Sequence, residues 1–466
     1  MLTVLDFLQQ ILSTPAILVG VVALIGLVAQ KKPFEDVIKG TIKTILGFVV
    51  LSAGAGVLQG SLGYFGNFFN FAFNVSGVVP NNEAIVSLGL SKFAQSTAYI
   101  MALGMVANII IARFSRLKYI FLTGHHTLYM ACLLAVVLNV AGLSGWQLIV
   151  AGSLLLGLVM AFFPAIAQPT VRKITGNDDV AFGHFGTIGY VFAAYIGKLF
   201  KKEEKEKQGI KVKTTEDISF PKRFSFLRDT SIAIALTMLI FFLIVTGIAS
   251  NKPGFDASQL GGQNWVLFSI MQSVTFAAGV YIVLQGVRLI LNEIVPAFKG
   301  ISEKLVPNAK PALDCPIVFP FAPNAVLIGF LSSFVGGIVG LLMIIVFNNS
   351  FGFAFALILP GVIPHFFCGA TAGVFANAEG GLKGSVVGSF LHGILITFLP
   401  AFLMPVLGGL GFANTTFSDA DFTVVGILLG NLASLLKNGT VLFVICVVLF
   451  LIPIIYNIVV PKKLAK

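Results

Sequence analysis

Long apolar runs without alternation, broken by short polar or basic clusters, fill this chain from residue 16 onward. A membrane-crossing helix needs about 20 mostly apolar residues, whereas a barrel strand uses about ten in strict alternation, so the pattern predicts helices and excludes an outer-membrane barrel. Eleven spans are predicted: Ala16 to Gln30, Thr41 to Gly60, Gln95 to Ala112, Tyr119 to Ala141, Gly145 to Gln168, Thr230 to Ala249, Trp265 to Leu291, Phe321 to Phe347, Phe353 to Ala376, Gly384 to Leu407 and Thr440 to Val460. Three further stretches, Asn67 to Leu90, Asn177 to Phe200 and Thr423 to Leu436, are short or interrupted by Gly, Pro and Asn. They suit re-entrant or broken helices buried within protein, the alternative being loops on the membrane surface. The expected fold is therefore an all-α integral membrane protein.

A charged stretch from Lys198 to Arg228 divides the apolar sequence, and its alternating Lys and Glu predict a solvated linker over 198–229. The flanking parts, 1–197 and 230–466, resemble each other. Val57-Leu58-Gln59-Gly60 recurs as Val283-Leu284-Gln285-Gly286, Pro80-Asn81 as Pro307-Asn308, and Leu122-Thr123-Gly124 as Leu359-Pro360-Gly361, in the same order and at nearly constant offset. Two repeats are expected, the second followed by a final C-terminal span.

Composition agrees with a membrane protein: 57% hydrophobic, 11% charged, mean hydropathy +0.97. The net charge of +11 is a poor sign of nucleic-acid binding, because the basic residues outside the linker border apolar segments. Lys31 and Lys32, Arg113 and Arg116, Arg172 and Lys173, and the C-terminal Lys462, Lys463 and Lys466 all become cytoplasmic if Met1 faces outward and the span count is odd. That orientation also places the linker inside and inverts the two repeats, a build common among transporters. The first twenty residues lack the basic region and small-residue cleavage site of a secretory signal, so their apolar part is expected to remain. Cys132, Cys315, Cys368 and Cys446 show no CxxC spacing and suggest neither a zinc site nor a disulfide framework.

Ionisable groups are costly within lipid, so those kept there are candidates for function. Among acids these are Glu83, Asp314 and Glu379, with Glu83 and Asp314 at nearly equivalent places in the two repeats; Glu293 reads as an ion-pair or interface residue. His125, His126, His184 and His365 lie in or near Gly-containing breaks, where a polar cavity competes with structural packing. His392, alone on an apolar helix, reads as a hydrogen-bonded core residue. No HExxH arrangement supports a metal. The segments LTGHH and LPGVIP each put a Gly at the start of an apolar run, where a half-helix would turn free backbone N–H groups into a cavity.

The blocks GTIKTILGFVVLSAGAGVL, IFLTGHHTLYMA, QGVRLILNEIVPAFKGISEKLVPNAKPALDCPIVFPFAPNAVLIGF and LPGVIPHFFCGATAGVFANAEGG are similar to those of the ascorbate-type IIC membrane component of the bacterial phosphotransferase system, from about Lys39 to Leu407. The resemblance implies a homodimeric carrier of the bacterial plasma membrane with eleven spans, which translocates L-ascorbate or a related sugar acid or polyol. It also implies that a phosphocysteine on a separate IIB protein, charged by IIA, phosphorylates the substrate, leaving this chain a transport subunit with no cofactor or catalytic residue. Carried onto this sequence, the substrate pocket falls on Glu83, His125, His126, Tyr129, His184, Phe185, Asp314, Gly361, Val362 and Ile363. Enterobacterial ascorbate carriers have Gln where this chain has Tyr129 and Phe185, and an aromatic residue near Glu83, so the carrier class is fixed more firmly than the substrate. A proton- or sodium-coupled secondary transporter is the rival reading.

Overall fold

The computed structural model describes residues 15–74, 77–218, 230–407 and 415–460; the expectations for Met1, for residues 219–229 and for Lys466 lie outside them. The helices are α1 (Pro15–Ala29), α2 (Phe34–Phe73), α3 (Asn82–Phe114), α4 (Gly124–Val140), α5 (Gly145–Thr175), α6 (Thr187–Lys198), α7 (Lys202–Lys207), α8 (Thr230–Ser250), α9 (Trp265–Leu305), α10 (Pro323–Phe351), α11 (Ala370–Leu407), α12 (Ala420–Leu436) and α13 (Gly439–Val459). Each of the eleven apolar stretches carries helix, because in lipid a helix satisfies its backbone within itself. Among the described residues, six helices are long and apolar enough to cross a membrane: Lys92–Phe114, Gly145–Thr175, Trp265–Ile282, Pro323–Phe351, His365–Leu407 and Gly439–Val459. Their outward faces are apolar; Val444, Val448 and Ile455 of α13 are half exposed, as side chains against lipid would be.

The ninth stretch is helical only from Val362. Asn348 takes Phe355 in a two-way hydrogen bond, Nδ2 to its carbonyl at 2.8 Å and Oδ1 from its N–H at 3.0 Å, and the chain runs extended to Leu359 before Pro360 and Gly361. One helical turn, Val362–Pro364, and a π-turn, His365–Gly369, then lead into α11. Within α11, Gly381 adopts φ 65° and ψ −154°, a conformation open to glycine, which breaks the helix in the gap between the predicted ninth and tenth stretches.

An all-α chain was expected, and the structure departs from it, among the described residues, in five short strands: β1 (Val79–Pro80), β2 (Tyr119–Phe121), β3 (Ala181–Phe182), β4 (Lys310–Leu313) and β5 (Thr415–Thr416). They form two small parallel sheets. In one, β4 lies between β2 and β3; in the other, β1 pairs with β5 on one side and, through Val78, with Ile358 on the other. Each sheet thus takes its middle strand from one half of the chain and its edges from the other. The physical cause is backbone satisfaction: where the chain leaves a helix inside an apolar body, its N–H and C=O groups need partners, and only neighbouring extended chain supplies them. Two of the three interrupted stretches run through these strands. Residues 177–200 comprise β3, a glycine-flanked turn and α6, whose twelve residues reach about 18 Å, well short of a bilayer.

Glycines bring α10 against α11 until their backbones nearly touch. A Cβ on Gly336 would stand 2.0 Å from the Phe390 carbonyl oxygen, and one on Gly393 would stand 1.9 Å from that of Ser333. Such contact needs small residues, as is usual where helices associate without a hydrophobic driving force.

Part of the charged loop is anchored to this bundle. Thr215 is fully buried, its N–H donating to Asn377 Oδ1 at 3.1 Å, while Leu382, next to the Gly381 break, donates to the Lys213 carbonyl at 2.9 Å. Glu216 Oε1 accepts the first free N–H groups of α10, from Asn324 at 2.9 Å and Ala325 at 3.2 Å, and so caps that helix. At the end of α5, Arg172, Lys310 and Gln168 all bind the Asp178 carboxylate, and the Arg172 guanidinium holds it below the usual carboxylate range. Removing the cap with Glu216→Ala is expected to cost about 1 kcal/mol, the usual worth of an N-terminal cap. Thermal unfolding in detergent reads this as a lowered midpoint, and an unchanged midpoint would show that the loop contributes no stability here.

Candidate substrate site

The strands position the polar groups. Asp314 follows β4 directly and His184 lies two residues beyond β3; because those strands are neighbours, the two side chains meet, His184 Nε2 standing 4.0 Å from Asp314 Oδ1. His125 and His126 occupy the first turn of α4, after β2 on the other edge of β4, and His125 Nε2 approaches Asp314 Oδ2 at 3.7 Å. Asp314 Oδ1 is anchored by the Cys315 N–H at 2.7 Å. In the second sheet the same relation recurs with Asn82, two residues beyond β1, and Asp419, three beyond β5: Asn82 Nδ2 donates to Asp419 Oδ1 at 2.8 Å.

All of these groups line one cavity at the junction of the two halves, together with Tyr129, Ile363, Pro364 and Ser418. One hydrogen bond assigns a ring proton. His126 Nδ1 accepts the Phe185 N–H at 3.1 Å, so its proton sits on Nε2, facing Asp419 Oδ2 at 4.0 Å. The Tyr190 hydroxyl lies 2.8 Å from His184 Nδ1, and His184 Nε2 faces Asp314. These acid–imidazole separations exceed hydrogen-bond reach, so donors and acceptors stand apart around space that a bridging hydroxyl can occupy. The cavity is rigidly backed: His126 stacks on Phe422 with centroids 5.4 Å apart, and Asp421, fully buried, accepts the Thr187 and Ile188 N–H groups at 2.9 and 2.7 Å, fixing the start of α6 beside His184.

Of the residues expected at the site, His125, His126, Tyr129, His184, Asp314 and Ile363 come together here. Phe185 contributes its backbone; its ring is fully buried and stacked on Phe121, centroids 4.6 Å apart. Gly361 packs behind the lining, where a Cβ would stand 3.0 Å from the Pro80 carbonyl oxygen. The side chains of Glu83 and Val362, and that of Glu293, lie outside the described residues. His365 and His392 share Ser333 Oγ, at 2.9 and 3.3 Å from their Nδ1 atoms, which makes His392 the hydrogen-bonded core residue it was read as and gives His365 a structural role. Glu379 pairs with Lys173 at 2.8 Å away from the cavity. The residues missed are Asn82, Ser418 and Asp419, with Cys315 and Cys368 at the wall. One signal was available: FSDAD, a polar cluster directly before an apolar stretch too short to span.

Among the described residues, no Lys or Arg lines the cavity. His126, His184 and Asp419 offer ligand atoms within 4.8 Å of one another, as do His125, His126 and Asp314, a spacing that a divalent cation can use. The same alternation of N–H donors and carboxylate acceptors equally suits a polyhydroxylated solute.

Similarity to known proteins supplies the family. A family model described as "PTS system sugar-specific permease component" (EIIC-GAT) matches residues 10–421. A Mycoplasma pneumoniae (strain ATCC 29342 / M129 / Subtype 1) protein named "Ascorbate-specific PTS system EIIC component" is 27% identical over 441 residues, an alignment that takes in 84% of this chain. The chain spans 66% of the length of that curated relative, just under two-thirds.

Proposed function

This chain belongs to the sugar-specific permease components of the phosphotransferase system, of the galactitol/ascorbate type, and on that premise we propose that it binds L-ascorbate, or a related sugar acid or polyol, in the cavity between Asp314, His125, His126 and His184. The observation that carries the reading is the meeting of these side chains, from both halves of the chain, around one hydroxyl-sized gap in a member of a sugar-carrier family. Tyr129 and Ile363 line the same cavity and Phe185 takes part through its N–H on His126, while the family resemblance adds Glu83, Gly361 and Val362 to the proposal.

The two halves act as inverted repeats, each contributing spans and a re-entrant strand–turn–helix unit, with eleven spans in all and a charged linker between them. The interleaved sheets support this, since each middle strand is flanked by the other half in the same way. A substrate held between two such units is exposed to one side and then the other as they rock, the working mode of carriers so built. The loop and the C-terminus face the cytoplasm in this reading, and the carrier works as a homodimer. Phosphate reaches the substrate hydroxyl from a phosphocysteine on the separate IIB protein, recharged by IIA, so that the product is trapped inside as its phosphate ester.

Vesicles test this directly. Vesicles holding this protein alone are expected to bind L-ascorbate yet accumulate none; adding cognate IIA and IIB with phosphoenolpyruvate yields phosphorylated ascorbate in the IIB-containing compartment. Accumulation of unmodified ascorbate on a proton or sodium gradient alone would overturn group translocation in favour of secondary transport.

A further inference from the structure

The cavity has a second carboxylate, and its setting reproduces that of the first. Asp314 has one oxygen fixed by a backbone N–H and the other turned toward an imidazole 3.7 Å away. Asp419 has Oδ1 fixed twice, by Asn82 Nδ2 at 2.8 Å and by the Ser418 hydroxyl at 2.6 Å, while Oδ2 turns toward His184 Nδ1 at 3.9 Å and His126 Nε2 at 4.0 Å. Asn82 is itself held, accepting the Ser418 N–H on Oδ1 at 2.9 Å. The side chain of Asp419 is 4% exposed, its residue lines the cavity, and neither imidazole closes on it to hydrogen-bond distance; its further protein neighbour is the Cys368 thiol, a weak donor that a ligand hydroxyl outcompetes. A carboxylate desolvated to this degree with one oxygen tied and the other facing a gap is an acceptor prepared for a donor from outside the protein.

Building on the ascorbate-type reading of the cavity, we infer that Asp419 is a second substrate-binding carboxylate, which accepts a hydroxyl of the ligand opposite the hydroxyl taken by Asp314. Each ligand hydroxyl sits in the same kind of seat, between an imidazole nitrogen and the untied carboxylate oxygen (His125 Nε2 and Asp314 Oδ2; His126 Nε2 and Asp419 Oδ2), donating to the carboxylate. The chemistry selected is a small ligand bearing hydroxyls on two sides of its skeleton. Because one seat stands on the sheet centred on β4 and the other on the sheet centred on β1, the ligand bridges the two sheets.

The test is direct binding of radiolabelled L-ascorbate, and of galactitol, to the purified full chain, wild type and Asp419→Asn, followed by a panel of ascorbates singly O-methylated at each hydroxyl. Asp419→Asn keeps an acceptor oxygen for Asn82, and thermal unfolding checks that it folds. We expect it to lose about tenfold or more in affinity, the worth of a charged hydrogen bond. One O-methyl ascorbate should bind the wild type weakly yet lose little further affinity on Asp419→Asn, because that variant has already lost the hydroxyl's partner. If Asp314→Asn weakens binding while Asp419→Asn does not, or if every O-methyl penalty is the same in Asp419→Asn as in wild type, Asp419 is not a ligand acceptor although the function stands. Should Asp419→Asn fail to fold, the panel is read on Ser418→Ala, where loss of the anchoring hydroxyl must diminish the same penalty, and an unchanged one refutes the inference. Wild-type protein that binds neither ascorbate nor galactitol overturns the ascorbate-type reading itself, and the second acceptor with it.

Discussion

Asp314→Asn and His184→Ala are each expected to reduce L-ascorbate affinity by about tenfold or more, without loss of expression or assembly. The magnitude follows from the roughly 1.5–3 kcal/mol carried by a hydrogen bond to a charged group, of which 1.4 kcal/mol is a factor of ten. The fold should survive for local reasons. Asp314 is 21% exposed at its side chain, and Asn retains the oxygen that receives the Cys315 N–H. His184 stands just beyond β3, whose pairing with β4 is made by backbone. Its removal frees the Tyr190 hydroxyl, a penalty that the adjacent cavity can relieve with water. Equilibrium binding on purified protein, with size exclusion alongside, separates the outcomes. Normal affinity in both variants would remove these residues from the pocket, and failure to assemble would make their role structural.

The second large effect lies in packing. Gly393→Val and Gly336→Val are expected to abolish recovery of folded protein, because the first added carbon already meets a backbone carbonyl oxygen at 1.9 or 2.0 Å. A side chain in the way can rotate aside; a helix backbone cannot, so α10 and α11 would have to part along the whole contact. The cost exceeds the roughly 1–3 kcal/mol typical of overpacking. Gly60→Ala on α2 is the contrast, since nothing stands within 4 Å of its added carbon and Ala gains about 1 kcal/mol of helix propensity. Fluorescence-detected size exclusion of detergent extracts distinguishes them: a normal monodisperse peak from Gly393→Val would mean that the helices are not in backbone contact.

What the sequence reveals and what it hides follows from the range of the forces involved. The apolar helices are legible because they are written locally, in runs of apolar residues, and the gap left between Ala376 and Gly384 contains the Gly381 break. The strands are illegible for the opposite reason: two to four residues carry no periodicity, and their pairing is decided by chain far away in sequence. Asp419 was hidden with them, since its place in the cavity depends on β5 lying beside β1. Phe185 shows a finer error. The resemblance put it at the pocket; its N–H bonds His126 in the cavity wall, while its ring turns toward Phe121. Likewise alternating Lys and Glu mark a solvated segment correctly at Lys202–Lys207, yet cannot disclose that Thr215 and Glu216 dock a few residues on.

The interleaved sheets also set a timetable for synthesis. Asn82 waits for Ser418, which leaves the ribosome 336 residues later; at about 5–20 residues per second this is a delay of roughly 15–70 s. Until then β1 lacks β5 beside it and Asn82 lacks its acceptor Asp419, with Ile358 the earlier of the two partners that β1 requires. Neither half can close its own sheet by waiting longer. The early product is therefore a substrate for the cell's insertion and quality-control machinery until β5 arrives, and a ribosome that stalls before it leaves behind a membrane protein with most of its apolar helices and no finished core.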